Sequence, residues 1–252
     1  MMKKPPAHIL DNAAGNIDGD TTKIACKNCN LFQLCLPIGM SDPDLELLEK
    51  IIKRCWPASR GKHLFRAGDP FEAIYAVRSG AVITYVPRED GGEQVTGFHL
   101  PGELVGLDAI NAGHHPASAR TLDTSSFCVI PFDRLEELAD EVPGLRRQII
   151  RILSKEIKID HDLLQLLGKQ SSEERLAALL ISISRRFEQR GFSGREFYLS
   201  MSRSDISSYL GLAVETVCRT FTRFQQSGIL NVNRKFIQLN DIERLRLLAG
   251  YR

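Results

Sequence analysis

Residues 202–228 read SRSDISSYLGLAVETVCRTFTRFQQSG, and this stretch carries the strongest structural signals of the C-terminal third of the chain. Ser202 followed three residues later by Asp205 is typical of a helix start with a capping box. Gly211 breaks the first helical run, and Gly228 is placed to end the second. The stretch therefore predicts two short helices joined by a tight turn, which is the helix-turn-helix arrangement.

The second of these helices has two contrasting faces. Val217, Phe221 and Phe224 share one face and are predicted to enter the core. The opposite face consists of Glu215, Cys218, Arg219, Thr222 and Gln226. Glu215 and Arg219 are either a surface ion pair at i,i+4 spacing or base-reading residues, with Arg directed at guanine and Glu at cytosine.

The charge of the surrounding sequence favours base reading. Residues 171–252 hold 13 Lys/Arg against 8 Asp/Glu, a net charge of +5, whereas the whole chain of 252 residues carries only +2. Such a basic segment favours a polyanionic partner. Further side chains are predicted to bind phosphates, which fixes a protein on DNA without reading sequence. They are Arg203, Thr216, Arg223 and the Arg234–Lys235 tip of a hairpin predicted in ILNVNRKFIQL.

Upstream, the sequence changes from helical to strand-like periodicity. SDPDLELLEKIIKR predicts a helix capped by Ser41, and residues 60–132 contain short apolar or alternating runs separated by glycine turns. That pattern is typical of an antiparallel barrel, roll or jelly roll. His99, His114 and His115 lie near Asp108 in this region, but no nucleophile–base motif accompanies them, and the two adjacent histidines are expected to be solvated.

Residues 133–168 return to a helical period. Apolar residues recur at spacings of three and four with one acidic residue among them, which predicts either a helix packed on its own domain or a coiled-coil seam between two copies. The seam residues are Ile150, Leu153, Ile157, Asp160, Leu164 and Leu167. In a parallel homodimer Asp160 would face its symmetry mate, which weakens the pairing.

Three cysteines lie close together in CKNCNLFQLC, at Cys26, Cys29 and Cys35. The N-terminus has no apolar segment of a secretory signal, and no run reaches the length of a membrane span, so a cytoplasmic protein is expected. Reduced thiols in that compartment point to metal ligation or catalysis. If a remote cysteine supplies a fourth thiolate, the residues alone leave zinc and an iron–sulfur cluster equally open. Cys128, in FCVIPF, is by itself expected to be a buried strand residue. Cys55 is expected to be a small thiol outside the site.

Taken together, these segments resemble the CRP/FNR family of transcription regulators, and in particular its oxygen-sensing FNR/ANR branch. The resemblance covers about Cys26 to Ala249 and rests on CKNC with LC, LFRAGD, YAVRSG, EQVTGFHLPGELVGLDAI, EERLAALL, RGFS and the stretch quoted first. It implies an α+β fold with a double-stranded β-roll sensor domain, a long dimerisation helix and a C-terminal winged helix-turn-helix. The implied division is a flexible arm at 1–25, the cluster-ligand segment and roll at 26–132, the dimerisation helix at 133–168 and the DNA-binding domain at 169–252.

The resemblance also implies the input and output of the molecule. Cys26, Cys29, Cys35 and Cys128 match the ligands of an oxygen-labile 4Fe-4S cluster that stabilises a DNA-binding homodimer without oxygen. The implied target is an inverted repeat of TTGAT type in double-stranded DNA. Binding there would activate or repress anaerobic genes, with RNA polymerase as a partner. Polymerase contact surfaces of the family map onto Ser79, Gly91, Thr124, Ser193 and Phe197.

Four positions separate this chain from other members of the family. Where cyclic-nucleotide receptors carry Glu and Arg for ribose and phosphate, this chain has Leu107 and Ala117, so no cyclic nucleotide is expected. Val214 occupies the place of a base-contacting Arg in the cyclic-AMP type. Cys218 replaces the usual Ser, and as a weaker hydrogen-bonding group it puts readout of one base pair in question. The alternative function is a CRP-like regulator with a structural zinc site or another small-molecule or redox input.

Overall fold

The computed structural model of the chain describes residues 26–54, 57–169 and 171–251. The predicted arm at 1–25 and Cys55 lie outside the described residues. The helices are Asp42–Ile51 (α1), Phe132–Glu141 (α2), Pro143–Lys169 (α3), Ser172–Glu188 (α4), Arg203–Leu210 (α5), Val214–Gln226 (α6) and Ile242–Leu248 (α7).

Eleven strands are present among the described residues. They are Lys53–Arg54 (β1), His63–Phe65 (β2), Ala73–Ser79 (β3), Val82–Pro87 (β4), Glu93–His99 (β5), Leu104–Val105 (β6), Ser118–Thr121 (β7), Ser126–Pro131 (β8), Glu196–Tyr198 (β9), Leu230–Asn233 (β10) and Phe236–Leu239 (β11). They form a sheet of order β1-β8-β3-β6, a sheet of order β2-β7-β4-β5 and a three-stranded sheet of order β10-β11-β9. Two compact units divide the chain, with boundaries at 87/88, 97/98 and 151/152.

The two four-stranded sheets form the predicted antiparallel roll. Their shared core contains side chains from both sheets, among them Phe65, Tyr75, Val82 and Phe127. Strand β3 pairs with β8 in register from Ala73 opposite Pro131, and because side chains alternate along a strand, inward and outward positions are fixed by that register. The runs LFRAG, AIYAVRSG, AVITYVP, QVTGFHLPG, LVGLDA and FCVIPF predict strands and match β2, β3, β4, β5, β6 and β8. No such run predicts the short β7, because SART has only one apolar residue.

Helix boundaries follow the capping signals. Ser41 caps α1 and accepts from the backbone N–H of Asp44, with the reciprocal bond also present. Between α2 and α3 the chain breaks at Val142, since Pro143 has no N–H to continue a helix and restricts the residue before it. The predicted helical range 133–168 thus holds two helices, and all six seam residues lie on α3.

In the second unit, α4 packs against α6 and α7, beside the three-stranded sheet. Ser202 caps α5 through a capping box with Asp205, as predicted. Gly211 follows α5 and Gly228 follows α6 by two residues; both are left-handed, with φ of 61° and 72°. Glycine is needed there because other residues are strained at positive φ. None of the helices in the described part of the chain has the length and apolarity to cross a membrane.

Candidate nucleic-acid interface and metal centre

Helix α6 is held against the second unit by its apolar face. Val217, Phe221 and Phe224 are all buried, as the spacing predicts. The five residues predicted for the opposite face are all exposed: Glu215, Cys218, Arg219, Thr222 and Gln226. The side chains that would read bases therefore stand on a rigid, fully packed helix, which is the arrangement that a major-groove recognition helix requires.

Arg203, at the start of α5, is positioned by an aromatic ring of α6. Its guanidinium carbon lies 3.4 Å from the ring centroid of the buried Phe221, a cation–π contact. Burial lowers the pKa of the Arg203 guanidinium, and the neighbouring Cys218 opposes that shift. An arginine remains cationic under such a shift. Arg203 is thus a pre-oriented positive charge adjacent to Cys218.

Arg203, Arg234 and Lys235, which the sequence predicts to bind phosphates, lie together. They line a cavity of about 100 Å³ with Ser202, the N-cap of α5, and with Leu199, Met201 and Ile237. Arg234 and Lys235 form the turn between β10 and β11. A cluster of cations beside the N-terminal N–H groups of a helix is suited to an anion.

The other predicted contact residues are less uniformly placed. Arg223 forms an ion pair with Glu173 of α4 while remaining largely exposed. Thr216 is partly buried, and its carbonyl accepts a hydrogen bond of 2.8 Å from the Thr220 hydroxyl. Val214, 38% exposed, presents an apolar side chain at the N-terminal end of α6.

The three clustered cysteines lie on a loop of tight turns. Cys26–Asn28 and Phe32–Leu34 are single 3-10 turns, linked by a bond from the Phe32 N–H to the Cys29 carbonyl of 3.0 Å. We call residues 26–40 the ligand loop. Leu31, Leu36 and Met40 anchor it in the first unit, where each is buried, so its path is set by apolar residues between the thiols.

Two contacts fix the ends of the cysteine segment. The Cys26 N–H donates to the carboxylate of Glu49 on α1. Leu34 lies over Gly102 so closely that a Cβ at Gly102 would approach its Cβ to 2.8 Å. Because Gly102 also has a φ of +91°, any other residue there would displace Leu34 and strain the turn.

The roll brings Cys128 to the ligand loop. Phe127 and Val129 of β8 belong to the interior core, so the intervening Cys128 projects from the opposite face of the sheet. Burial raises the pKa of the Cys35 thiol to about 12; the backbone of Leu36 opposes this rise, and Cys128, Cys26 and Cys29 add to it. Cys35 is thus within electrostatic range of each of the other three cysteines.

The four cysteine thiols are chemically suited to bind a metal ion or metal cluster as thiolates. None of the four cysteines forms a disulfide, and all four are partly buried. Within the described residues, no three His, Cys, Asp or Glu side chains are already arranged as a metal site. Four thiolates in one neighbourhood are the ligands of either tetrahedral zinc or an iron–sulfur cluster. These cysteines would hold such a group.

The start of α3 touches the ligand loop. The buried Gln148 donates from its amide to the Cys35 carbonyl at 3.5 Å. The carbonyl oxygen of Gly39 would lie 3.6 Å from a Cβ placed on Gly144. Gln148 and Ile150 project from nearly opposite sides of the helix, since two residues rotate it by about 200°. One turn of α3 therefore faces the thiols and also begins the seam.

The seam itself is uncovered in the single chain. Ile150, Ile157 and Leu164 are 60%, 57% and 66% exposed, and Asp160 is exposed as well. Leu153 and Leu167 are partly buried. Large aliphatic side chains spaced along one stripe and left in water are typical of helix faces that pack against a partner.

The residues mapped to polymerase contacts divide into exposed and buried positions. Ser79, Gly91, Thr124 and Ser193 are exposed. The prediction that Phe197 forms part of a contact surface is corrected, because Phe197 is 3% exposed and stacks on Phe187 with ring centroids 5.2 Å apart. The exposed aromatics of this region are Phe192 and Tyr198; the sequence analysis predicts neither, although the glycine-flanked loop 191–194 is a signal for the exposure of Phe192.

The histidines of the roll also differ from expectation. His115 is buried, not solvated. Its ring stacks on Phe65 at a centroid distance of 3.6 Å and meets the edge of Phe71. His115 is thus part of the aromatic core, whereas the exposed His114 bonds to the Ala112 carbonyl at 2.9 Å.

A β-roll, a long helix and a winged helix-turn-helix with an exposed polar recognition face define a DNA-binding transcription regulator. Two family models match the chain, the cyclic nucleotide-binding domain over residues 57–142 and the Crp-like helix-turn-helix domain over residues 174–248. With the relatives below, these matches show that the chain belongs to the CRP/FNR family of transcription regulators. The family consists of transcription regulators, not enzymes.

Relatives of the chain carry a common name. It is 50% identical over 228 residues to the fumarate and nitrate reduction regulatory protein of Escherichia coli (strain K12), covering 90% of this chain and 91% of that protein. The fumarate nitrate reduction regulatory protein of Klebsiella oxytoca is 50% identical over 227 residues, with the same coverage.

Solved structures confirm the fold. FixK2 from Bradyrhizobium japonicum aligns with a TM-score of 0.72 and 29% identity, covering 79% of this chain and 97% of that one. A CooA mutant from Carboxydothermus hydrogenoformans aligns with a TM-score of 0.68 at 18% identity, covering 86% of this chain and 95% of that one, and shows the fold alone.

Proposed function

We propose that the chain is an oxygen-responsive, cytoplasmic transcription regulator whose Cys26, Cys29, Cys35 and Cys128 hold a 4Fe-4S cluster. The observation that carries this proposal is the set of four partly buried cysteines, none of them in a disulfide, of which three lie on the ligand loop and the fourth on β8. The relatives' name supports it, since it refers to the reduction of fumarate and nitrate, which are electron acceptors used in place of oxygen. When bound, such a cluster supplies four iron–thiolate links that oxygen can break.

Residues of the ligand loop and of α3 link ligation of the four thiolates to pairing of two chains along the seam. With all four thiolates ligated, the ligand loop is fixed against β8, and through Cys35 and Gly39 it supports the first turns of α3. The exposed seam of α3 then pairs with a second copy, which covers Ile150, Ile157 and Leu164. The facing Asp160 carboxylates oppose this pairing, so the two states are close in free energy and a modest contribution from the loop shifts them.

The homodimer presents two copies of α6 to successive major grooves of double-stranded DNA, about one helical turn apart. Arg219 reads guanine and Glu215 reads cytosine in an inverted repeat of TTGAT type, with Val214 offering no hydrogen bond and Cys218 only a weak one. The cavity of Arg203, Arg234 and Lys235 receives a phosphate of the backbone. Arg223 also binds a DNA phosphate when it releases Glu173. Thr216 contributes a further contact to the DNA backbone.

The roll serves as a structural support without a nucleotide. Position 117, where a guanidinium would bind a cyclic phosphate, is a buried alanine. Position 107 is a leucine in place of the ribose-binding glutamate. Activation then involves RNA polymerase through the exposed Ser79, Gly91, Thr124 and Ser193, and not through the buried Phe197.

Purification without oxygen tests the proposal. We expect a brown protein with about four iron and four sulfide per chain, dimeric and bound to the TTGAT-type repeat, which bleaches and becomes monomeric in air. Iron, sulfide and zinc analysis with sedimentation of the same sample gives the readout. A colourless protein with one zinc per chain and oxygen-indifferent DNA binding would support the alternative of a structural zinc site and overturn the proposal.

A further inference from the structure

Arg175, on the first turn of α4, joins the ends of two other helices. One guanidinium nitrogen donates to the Leu167 carbonyl near the end of α3 at 2.7 Å. The other donates to the carbonyl of Leu210, the last residue of α5, at 3.0 Å. The side chain is partly buried. A planar guanidinium can bind two acceptors at once in a fixed geometry, which no other side chain does as rigidly.

Both acceptors are groups that the helices themselves leave unsatisfied. The last four carbonyls of a helix have no intrahelical partner and carry its negative dipole end. A cation shared by two such ends is therefore favoured over water at either one. The left-handed Gly211 lies beside the same point, where a Cβ would meet Leu167 at 3.7 Å and Arg175 at 3.8 Å.

The same turn of α4 also holds the recognition helix. Glu173 pairs with Arg223 of α6, and the Thr220 hydroxyl of α6 lies 3.5 Å from that of Ser172. The first turn of α4 thus contacts the seam helix α3 and both helices of the helix-turn-helix. Among these contacts, the two bonds of Arg175 tie α3 to α5.

We propose that Arg175 is a positioning residue that fixes the recognition helices relative to the dimer seam and thereby sets which half-site spacing the protein binds. This inference rests on the proposed homodimer and its DNA target. In a two-fold dimer, the distance between the two copies of α6 depends on the angle between α3 and the helix-turn-helix in each chain. If that angle is fixed, the dimer fits one half-site spacing on DNA and not others. Arg175 touches no base, and the affinity of a single helix-turn-helix for one half-site is independent of it.

The test measures affinity for inverted repeats whose spacer is shortened or lengthened by one base pair, using full-length protein purified without oxygen. We expect the wild type to prefer one spacing by about tenfold or more, and Arg175→Met to reduce that preference to about twofold or less. Dimer mass and affinity for a single half-site should stay unchanged. Arg185→Met is the matched control, because it removes an exposed arginine of the same helix whose ring contact is with Tyr251.

A second variant guards against a general loss of folding. Arg175→Lys keeps the positive charge but loses the planar fork, and it should lose the spacing preference as Arg175→Met does. If either variant keeps the wild-type preference, the inference is overturned. A wild type that is monomeric, or that binds no paired half-sites, instead refutes the proposed function, so the two failures are distinguishable.

Discussion

The recognition helix and the ligand loop are organised in opposite ways. Helix α6 is thirteen residues long, is backed by Val217, Phe221 and Phe224, and needs no external group to hold its polar face outward. The ligand loop contains two three-residue 3-10 turns and no α-helix or strand, and no group of its thiols forms a ready-made metal site among the described residues.

This difference shows where the variable part of the molecule lies. The surface that meets DNA is built from a packed core, which is present whenever the unit is folded. The loop's position depends on a few side chains and on whatever the thiols bind. In the proposed function, a signal that acts on the loop alters the pairing of two copies and leaves the DNA-reading surface unchanged. The following experiments distinguish the two regions.

The largest effect is expected at the ligand loop. Cys35→Ser should lower the iron content and weaken anaerobic DNA binding by about 100-fold or more. Loss of a residue that only supports a metal ligand costs about 10–100-fold in metal affinity or activity, and loss of the thiolate ligand itself should cost more. Iron analysis and a DNA-binding titration measure this. Cys218→Ser is the matched control, since it removes an exposed thiol of α6 and should leave iron content unchanged. A Cys35→Ser protein with full iron would remove Cys35 from the ligand set.

The second effect lies on the recognition helix. Arg219→Ala should weaken specific binding by about 1–3 kcal/mol and relax discrimination at one base pair, since a base-reading guanidinium is lost. Arg223→Ala should instead weaken binding to all sequences alike and reduce the salt slope by about one. Affinities for the repeat and for single-base variants at several salt concentrations separate the two. Equal losses across all sequences for Arg219→Ala would make it a phosphate contact.

Much of the recognition helix could be predicted because its signals are local. Ser202, Asp205, Gly211 and Gly228 act within a few residues of where they stand in the sequence, and apolar spacing fixes which face is buried. The ligand loop was predicted only as a set of thiols. Glu49, Gly102 and Gln148 hold it across long sequence separations, and such contacts are decided by tertiary packing, for which the spacing of residues gives no signal.

The burial of individual aromatic and histidine side chains could not be predicted from the sequence either. His115 and Phe197 lie in loop-like or polar surroundings in the sequence, yet both are buried, each stacked on another ring. Whether an aromatic residue beside a glycine turn enters the core depends on which ring it meets there. Phe187 and Phe192 are five residues apart, and only the fold shows that Phe192 is the one left in solvent.

A smaller effect is expected at the seam, between the two regions. Asp160→Ala should tighten dimerisation in air by about fivefold, because two unit charges about 4 Å apart repel by about 1 kcal/mol in watery surroundings. Sedimentation of aerobic protein measures the dissociation constant. Asp162→Ala is the control on the same helix, since Asp162 pairs with Lys158 in its own chain. If both variants behave alike, Asp160 does not face its symmetry mate.

The smallest effect tests whether the loop reaches the seam through α3. Gln148→Met removes the amide that donates to the Cys35 carbonyl but keeps the side chain's length, so packing is preserved. A single buried hydrogen bond contributes about 0.5–1.5 kcal/mol, so the anaerobic dimer should weaken by about twofold to tenfold with iron content unchanged. Gln165→Met, on the exposed surface of the same helix, should change neither. A dimer that keeps its wild-type strength would mean that the loop acts on the seam by another route, because Gln148 is the polar contact that joins the Cys35 backbone to the turn from which Ile150 projects.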